Sequence, residues 1–331
     1  MPTGVPFVPT PFATTVVVPQ VTGAFGHHSY LSVSGYKSVP TAVAVNALIP
    51  KSTNNPTDSL FALARVIERA SSWADLICFS NPEGSLAAKL YTDQMWAAPK
   101  SDGSLALICK FKPVLECVGL ALGVAPSQLS NIDSNTAQDL WIDGKVINIP
   151  GWWNIPAPNG PVVAFNRPVG MWGNVYAVWS YVGGWPVTTL ASNCIVGATT
   201  LQLSPSAPGG TTLVGMYAGT PLTINDGDNT ETVIVQSAPT GTTVTTSATA
   251  FAHAVPEPPD SIVVSALPRV VEEATALLIS VLIKTRGNRA MQLPMAGGGM
   301  PTKPEMGMAG TLGDYDTACS MLKPLSTVMT R

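Results

Sequence analysis

Between Leu267 and Leu282 the apolar residues Leu267, Val270, Val271, Ala274, Leu277, Leu278, Val281 and Leu282 recur at intervals of three and four. That spacing places them on one stripe of an α-helix, and such a stripe persists in water only when another element covers it. Ser265 is expected to cap the helix and Pro268 to sit in its first turn. Lys284 and Arg286 complement the negative helix end, and Gly287 stops it. Arg269, Glu272 and Glu273 interrupt the segment, so it does not read as a membrane span, and no other run reaches the length of about 18 apolar residues that a span needs.

A second helix is expected from Asn55, which can cap, through Pro56 and Asp58 to about Cys78, ahead of Pro82. Leu60, Leu63, Ala64, Ile67, Ala70 and Ala74 fall on one face, with Arg65, Glu68, Arg69 and Asp75 largely on the other. A last helix is expected from about Asp314 to Leu322, after a Gly-, Met- and Pro-rich loop over 294–311.

The text between the helices is different. Residues 1–55 are Pro-punctuated, with β-branched patches at Thr14–Val18 and Val39–Val45, and read as an extended arm. Residues 86–183 read mostly as strands, at Leu86–Met95, Leu105–Phe111 and Asn174–Val182, with a hairpin over Trp141–Ile149 turning at Asp143-Gly144. A short helix is expected at Ser127–Ile132. Residues 186–255 are dense in Thr, Val and Gly and nearly empty of Lys and Arg. Strands are expected there at Thr199–Leu203, Pro221–Asn225, Thr230–Gln236 and Thr242–Thr246, with Asp226-Gly227 as a turn.

These elements predict an α+β chain: a core of long amphipathic helices, a strand-rich middle and a small inserted β-barrel-like domain. The division is 1–55 as the arm, 56–185 with 256–331 as the core, and 186–255 as the insert.

Charge narrows the function. Lys and Arg number 17 against 20 Asp and Glu, a net charge of −3, and charged residues make up 11% of the chain. A typical soluble domain carries roughly 25%. Nucleic-acid binding through a net positive field is excluded, because counterion release needs clustered cations. So dilute a surface suits a chain partly covered by other subunits.

Candidate chemistry is sparse. The five cysteines, Cys78, Cys109, Cys117, Cys194 and Cys319, show no CxxC pair and read as free thiols. His27-His28 falls in the arm, and His253 closes the β-region in Phe251-Ala252-His253-Ala254, where a structural role is expected. Asp226-Gly227-Asp228 resembles half a calcium loop without its downstream glutamate at the required spacing. Trp152-Trp153, Trp172, Trp179 and Trp185 could form a sugar-binding shelf, although core or interface is the commoner use of such a group. Residues 1–19 lack a basic-then-apolar run and do not read as a signal peptide. No catalytic, cofactor-binding or metal-ligating set is expected.

The order of four stretches resembles head-to-tail connector (adaptor) proteins of tailed bacteriophages. The stretches are Ile67-Glu68-Arg69-Ala70-Ser71-Ser72-Trp73-Ala74-Asp75; Gly84-Ser85-Leu86-Ala87-Ala88 through Tyr91-Thr92-Asp93-Gln94 to Asp102-Gly103-Ser104-Leu105; Gly219-Thr220-Pro221-Leu222-Thr223-Ile224-Asn225-Asp226-Gly227 with Glu231-Thr232-Val233 and Ala252-His253-Ala254; and Leu267-Pro268-Arg269-Val270-Val271-Glu272-Glu273-Ala274 with Leu322-Lys323-Pro324-Leu325. Many such connectors finish in aromatic and basic residues, where Ser326 and Thr327 stand here.

The resemblance implies a helical connector core in a homo-oligomeric ring, usually dodecameric, at the head–tail junction of the virion. Such a ring sits beneath the portal protein and receives a tail-completion or stopper protein, and the genome passes through it without sequence-specific binding. No membrane and no cofactor is implied. Leu322, Leu325 and Met329 are expected at the portal contact, and Leu267, Val271, Leu278 and Leu282 in helix packing between subunits. The arm is expected to reach a neighbouring subunit or the major capsid protein by strand addition. Two other classes stay open: another virion component (capsid decoration, baseplate or receptor-binding) and a glycan hydrolase. The latter needs paired carboxylates roughly 5–10 Å apart, and Glu83, Glu116, Asp139 and Asp143 lie in no supporting motif.

Overall fold

The computed structural model describes residues 9, 29–38, 56–79, 84–100, 104–123, 125–132, 139–150, 154–155, 163–164, 174–204, 213, 215–258, 260–284 and 309–325. The chain divides into two compact units, one built around residues 88–184 and the other around 19–87, 185–208 and 216–331.

In the first unit the main sheet is antiparallel. Its strands are β1 (Lys89–Ala97), β3 (Val114–Gly123), β4 (Leu129–Asn131) and β9 (Val175–Gly183), in the order β1-β9-β3-β4. The aromatic and β-branched residues expected over Asn174–Val182 make β9 the central strand. It is buried at every position but Tyr176. β2 (Leu105–Ile108), β5 (Trp141–Asp143) and β6 (Val146–Ile149) form a second sheet, whose β5–β6 hairpin turns at Gly144 with φ +58°. β7 (Asn154–Ile155) and β8 (Val163–Ala164) pair as a short ribbon. Asp93, inward-facing on β1, accepts hydrogen bonds from the Tyr181 hydroxyl and the Lys110 amide, both at 2.9 Å. It also pairs with the Lys110 Nζ at 3.3 Å. A helix expected over Ser127–Ile132 is instead strand β4. Gly123 permits this, since a Cβ there would lie 2.0 Å from the Gln128 carbonyl oxygen where the chain folds back onto β3.

The second unit combines helices and strands. Its helices are α1 (Val33–Ser38), α2 (Pro56–Cys78), α3 (Arg269–Lys284) and α4 (Ala309–Leu322), with α2 and α4 both packed on α3. Its main sheet has the order β10 (Val187–Thr189), β15 (Val263–Ser265), β12 (Pro221–Asn225), β13 (Glu231–Ile234), and β11 (Thr200–Gln202) pairs with β14 (Thr243–Thr245). Alternate residues Leu201, Leu203, Leu222, Ile224, Val233, Val235 and Val244 are buried, the period-two signature of a sheet with one covered face. Where the chain leaves and re-enters this unit, Ala87 bridges Trp185, and the Trp185 amide donates to the Leu86 carbonyl at 2.8 Å. The strands β10 to β15 thus share a compact unit with the helices.

The expected core of long amphipathic helices is not what the chain builds. Of the described residues 36% lie in strands or bridges and 28% in α-helices, and the four helices have 6, 23, 16 and 14 residues. The reason lies in the strands β1 to β9, whose alternating apolar and aromatic residues satisfy their backbone through sheets without a helical framework.

A buried polar network joins the start of the second unit to α2. Asp75 accepts from the Tyr30 hydroxyl and, at 2.8 Å, from the Leu86 amide. The Tyr30 amide donates to the Ser71 hydroxyl at 3.1 Å. Burial and the neighbouring Asp75 carboxylate hold the Tyr30 phenol well above its ordinary pKa, so it stays a donor. Asp75→Ala would orphan two buried donors at roughly 1–3 kcal/mol each. Urea unfolding should show a loss of about 3 kcal/mol, against under about 0.5 kcal/mol for a surface change such as Arg69→Ala.

Candidate functional site

The second unit contains a cavity of about 600 Å³ walled by α1, the β12–β13 hairpin, α3 and Met321 of α4. Each wall has a local cause. Ser32 caps α1, accepting the Gly35 amide at 2.8 Å. Its hydroxyl also faces the backbone oxygen and Oδ1 of Asn225, each at 2.9 Å, at the end of β12. Gly35 allows the approach, because a Cβ there would fall 1.5 Å from Asn225 Oδ1. Val33–Ser38, within the stretch expected to be extended, is therefore helical and seated on the sheet.

The Asp226-Gly227 turn forms where expected, as a 3₁₀ turn over Gly227–Asn229 with Gly227 at φ +58°. The Thr230 hydroxyl closes it, donating to the Gly227 carbonyl at 2.7 Å. Asp226 and Glu231 bracket the turn and converge on His253, whose side chain is fully buried. Asp226 Oδ2 lies 2.9 Å from Nδ1 and Glu231 Oε1 lies 2.8 Å from Nε2. Both ring nitrogens of His253 therefore end on carboxylate oxygens. Glu231 also accepts the Ala250 amide at 2.7 Å and the Phe251 amide at 3.1 Å. Burial pushes the Glu231 carboxyl up, but the Ala250 amide, His253 and the Phe251 amide outweigh it and hold the carboxyl below its usual range. The half calcium loop of the sequence is thus occupied by a histidine. Among the described residues no group of three or more His, Cys, Asp or Glu is placed to hold a metal ion.

On α3, Glu272 is 9% exposed and lines the cavity. Ser265, expected to cap this helix, lies instead in β15, and its hydroxyl donates to Glu272 Oε1 at 3.3 Å. Burial pushes the Glu272 carboxyl up to about 7, against the opposing effects of the Ser265 hydroxyl and Arg269. Arg269 itself pairs with Glu273 at 3.4 Å on the exposed side of the helix.

Of the residues expected at contacts between copies, Leu267, Val271 and Leu278 are buried within the chain and Leu282 is half-buried. Their apolar surface is largely covered by the chain's own elements. At the expected portal contact Leu322 is buried, its carbonyl accepting the Cys78 thiol at 3.8 Å, and Leu325 is half-buried. Met329, His27, His28, Glu83, Trp152, Trp153 and Trp172 lie outside the described residues. Trp179 is buried in the first unit, its indole donating to the Cys109 sulfur at 3.3 Å. Glu116 is half-buried on β3, and Asp139 and Asp143 are exposed. Sequence reasoning passed over Glu272. It shares a helical face with Thr275, Ile279 and Ile283, all buried, and the two isoleucines four apart were the available signal.

No family model, no curated protein and no solved structure matches this chain. Among the described residues no helix is long and apolar enough to cross a membrane.

His253→Ala would leave the Asp226 and Glu231 carboxylates without the ring nitrogens that meet them, at a cost of about 3 kcal/mol in urea unfolding. Glu231, with its folded pKa depressed, stabilises the fold above its unfolded value of about 4.3, and that contribution disappears as pH falls through the folded pKa. Tyrosine and tryptophan fluorescence should report acid unfolding of wild type below about pH 4, and a Glu231→Gln chain should lose less of its remaining stability over that interval.

Proposed function

We propose that this chain is a structural subunit of the neck of a tailed bacteriophage, assembling with copies of itself into a ring that joins the portal to the tail or the next neck protein. The reading gives the subunit no catalytic role. Its partners are the portal protein and a tail-completion or stopper protein, with DNA passing through the ring. The order of the four sequence stretches supports the place in the virion.

The surface carries the assembly part of the reading. Large apolar side chains stand in solvent although only 11% of residues are charged. Trp96 and Trp141 of the first unit are 47% and 49% exposed. In the second unit Ile195 and Val196 are 76% and 61% exposed at the tip of a turn. That turn is rigidly held: the Ala198 amide donates to the Ile195 carbonyl at 3.1 Å, the Gly197 amide to the Thr249 carbonyl at 2.8 Å, and the Thr249 hydroxyl to the Ile195 carbonyl at 2.9 Å. Gly197 takes φ +78°, which a side chain would resist. Ordering an apolar pair so firmly in water favours association, because the entropy of fixing it is already spent.

A second reading, another virion component such as a decoration, baseplate or receptor-binding protein, is favoured by the excess of strand over helix. Negative-stain microscopy separates the two. Purified protein should form closed rings, and C-terminally labelled virions should show label at the neck. Label on the capsid faces or tail tip favours the second reading, and a chain that stays monomeric at high concentration overturns both. Replacing Ile195 and Val196 with Asp should weaken self-association by roughly 30-fold, the equivalent of about 2 kcal/mol for a central apolar anchor, in sedimentation velocity.

A further inference from the structure

Glu272 is left short of partners by the chain's own fold. A carboxylate offers about four acceptor sites, yet the Ser265 hydroxyl at 3.3 Å is the donor that reaches it, and Oε2 receives no hydrogen bond among the described residues. The side chain is nine-tenths buried and borders the cavity of about 600 Å³. The cation nearest in sequence, Arg269, is turned to Glu273 at the surface with its side chain 88% exposed. Glu231, the other buried carboxylate on the wall, is already satisfied by His253 and by the Ala250 and Phe251 amides. An under-partnered buried carboxyl is costly, and here the residue lines space large enough for a small ligand.

The remaining walls are of two kinds. Leu31, Ala276, Leu277 and Met321 supply apolar surface, while Thr223, Thr230 and Thr232 supply hydroxyls. The acidic residues Glu231, Glu272 and Glu273 stand against the single basic residue Arg269, which disfavours an anion.

We propose that this cavity binds a cation carried on an aliphatic stem, its ammonium or guanidinium paired with Glu272 and its stem lying along Leu277 and Met321. Long basic groups bind in this divided way, methylenes on apolar surface and the charged head on its partner. The shared chemistry has two sources: a free polyamine, or the Lys or Arg side chain of another polypeptide. The site does not depend on the neck reading.

Isothermal titration of the full chain with spermidine, Nα-acetyl-lysine N-methylamide and ammonium chloride tests the site. At least one of the two stemmed probes should saturate wild type and bind Glu272→Gln at least tenfold more weakly, while ammonium, which lacks the stem, should not saturate. Tighter binding of spermidine identifies a free polyamine, and tighter binding of the lysine derivative identifies a side chain. Glu272→Gln should melt at or above the wild-type temperature, because it removes a buried ionisable group. Thr232→Lys, at an exposed position on the rim, should supply a tethered ammonium and block both stemmed probes even if the Gln variant fails to fold. Absence of saturable binding to wild type, equal binding to folded Glu272→Gln, equal binding to Thr232→Lys, or ammonium binding as tightly as the stemmed probes would each overturn the proposal.

Discussion

The turn between β12 and β13 is the constraint on which the second unit depends. At one end Asn225 receives the capped start of α1 through Ser32, a contact spanning 193 residues of sequence. On either side of the turn Asp226 and Glu231 grip His253, fastening the segment before β15 to the hairpin. Ile224 and Asn225 then pair with β15, and the hydroxyl of Ser265 at the end of that strand reaches Glu272 on α3. One tight turn, made possible by a glycine at positive φ, therefore fixes the helix cap, the enclosure of His253 and three walls of the cavity. Loss of its geometry would release groups that are expensive to bury unpaired.

Sparse charge and costly polar burial fit together. A chain with few ionisable residues has placed several of them inside: Asp75, Asp93, Glu272 and, nearly so, Glu231. Three of these are held by donors from distant segments, which makes them determinants of register and docking rather than sources of net stability. Glu272 departs from that pattern, and the departure coincides with the cavity. The outside, meanwhile, keeps apolar side chains such as Ile195, Val196 and Trp141 in solvent. Charge inside and apolar groups outside is an uneconomical arrangement for an isolated subunit and a reasonable one for a member of an assembly.

Much of the local structure was legible from the residues. The periodicity from Leu60 to Ala74 predicts α2, the stripe from Leu267 to Leu282 predicts α3, and Asp143-Gly144 and Asp226-Gly227 predict turns that form. These readings succeed because a helix stripe, a strand alternation and a Gly turn are properties of neighbouring residues. The misreadings share a different origin. Ser265 has the chemistry of a cap, but a strand claims it. Ser127–Ile132 has a helical look, but the open edge of β3 draws Leu129–Asn131 into the sheet. Asp75 and Glu68 lie on the charged side of a helical wheel, yet both are buried, and Asp75 is covered there by the segment around Tyr30 and the strand entry near Leu86.

The amino-acid sequence by itself determined the two long helices α2 and α3, the Gly turns after Asp143 and Asp226, and that the chain would carry little charge. Backbone dihedral preference and the spacing of apolar residues act over a few positions and need no knowledge of the rest of the chain. Tertiary structure alone decided that strand would outweigh helix, that strands β10 to β15 would join the helices in one unit, and that His253 would be enclosed by two carboxylates. It alone left Glu272 half-partnered beside a cavity. Those outcomes rest on contacts between residues tens to hundreds of positions apart, where the cost of burying a polar group depends on which distant donor arrives to meet it.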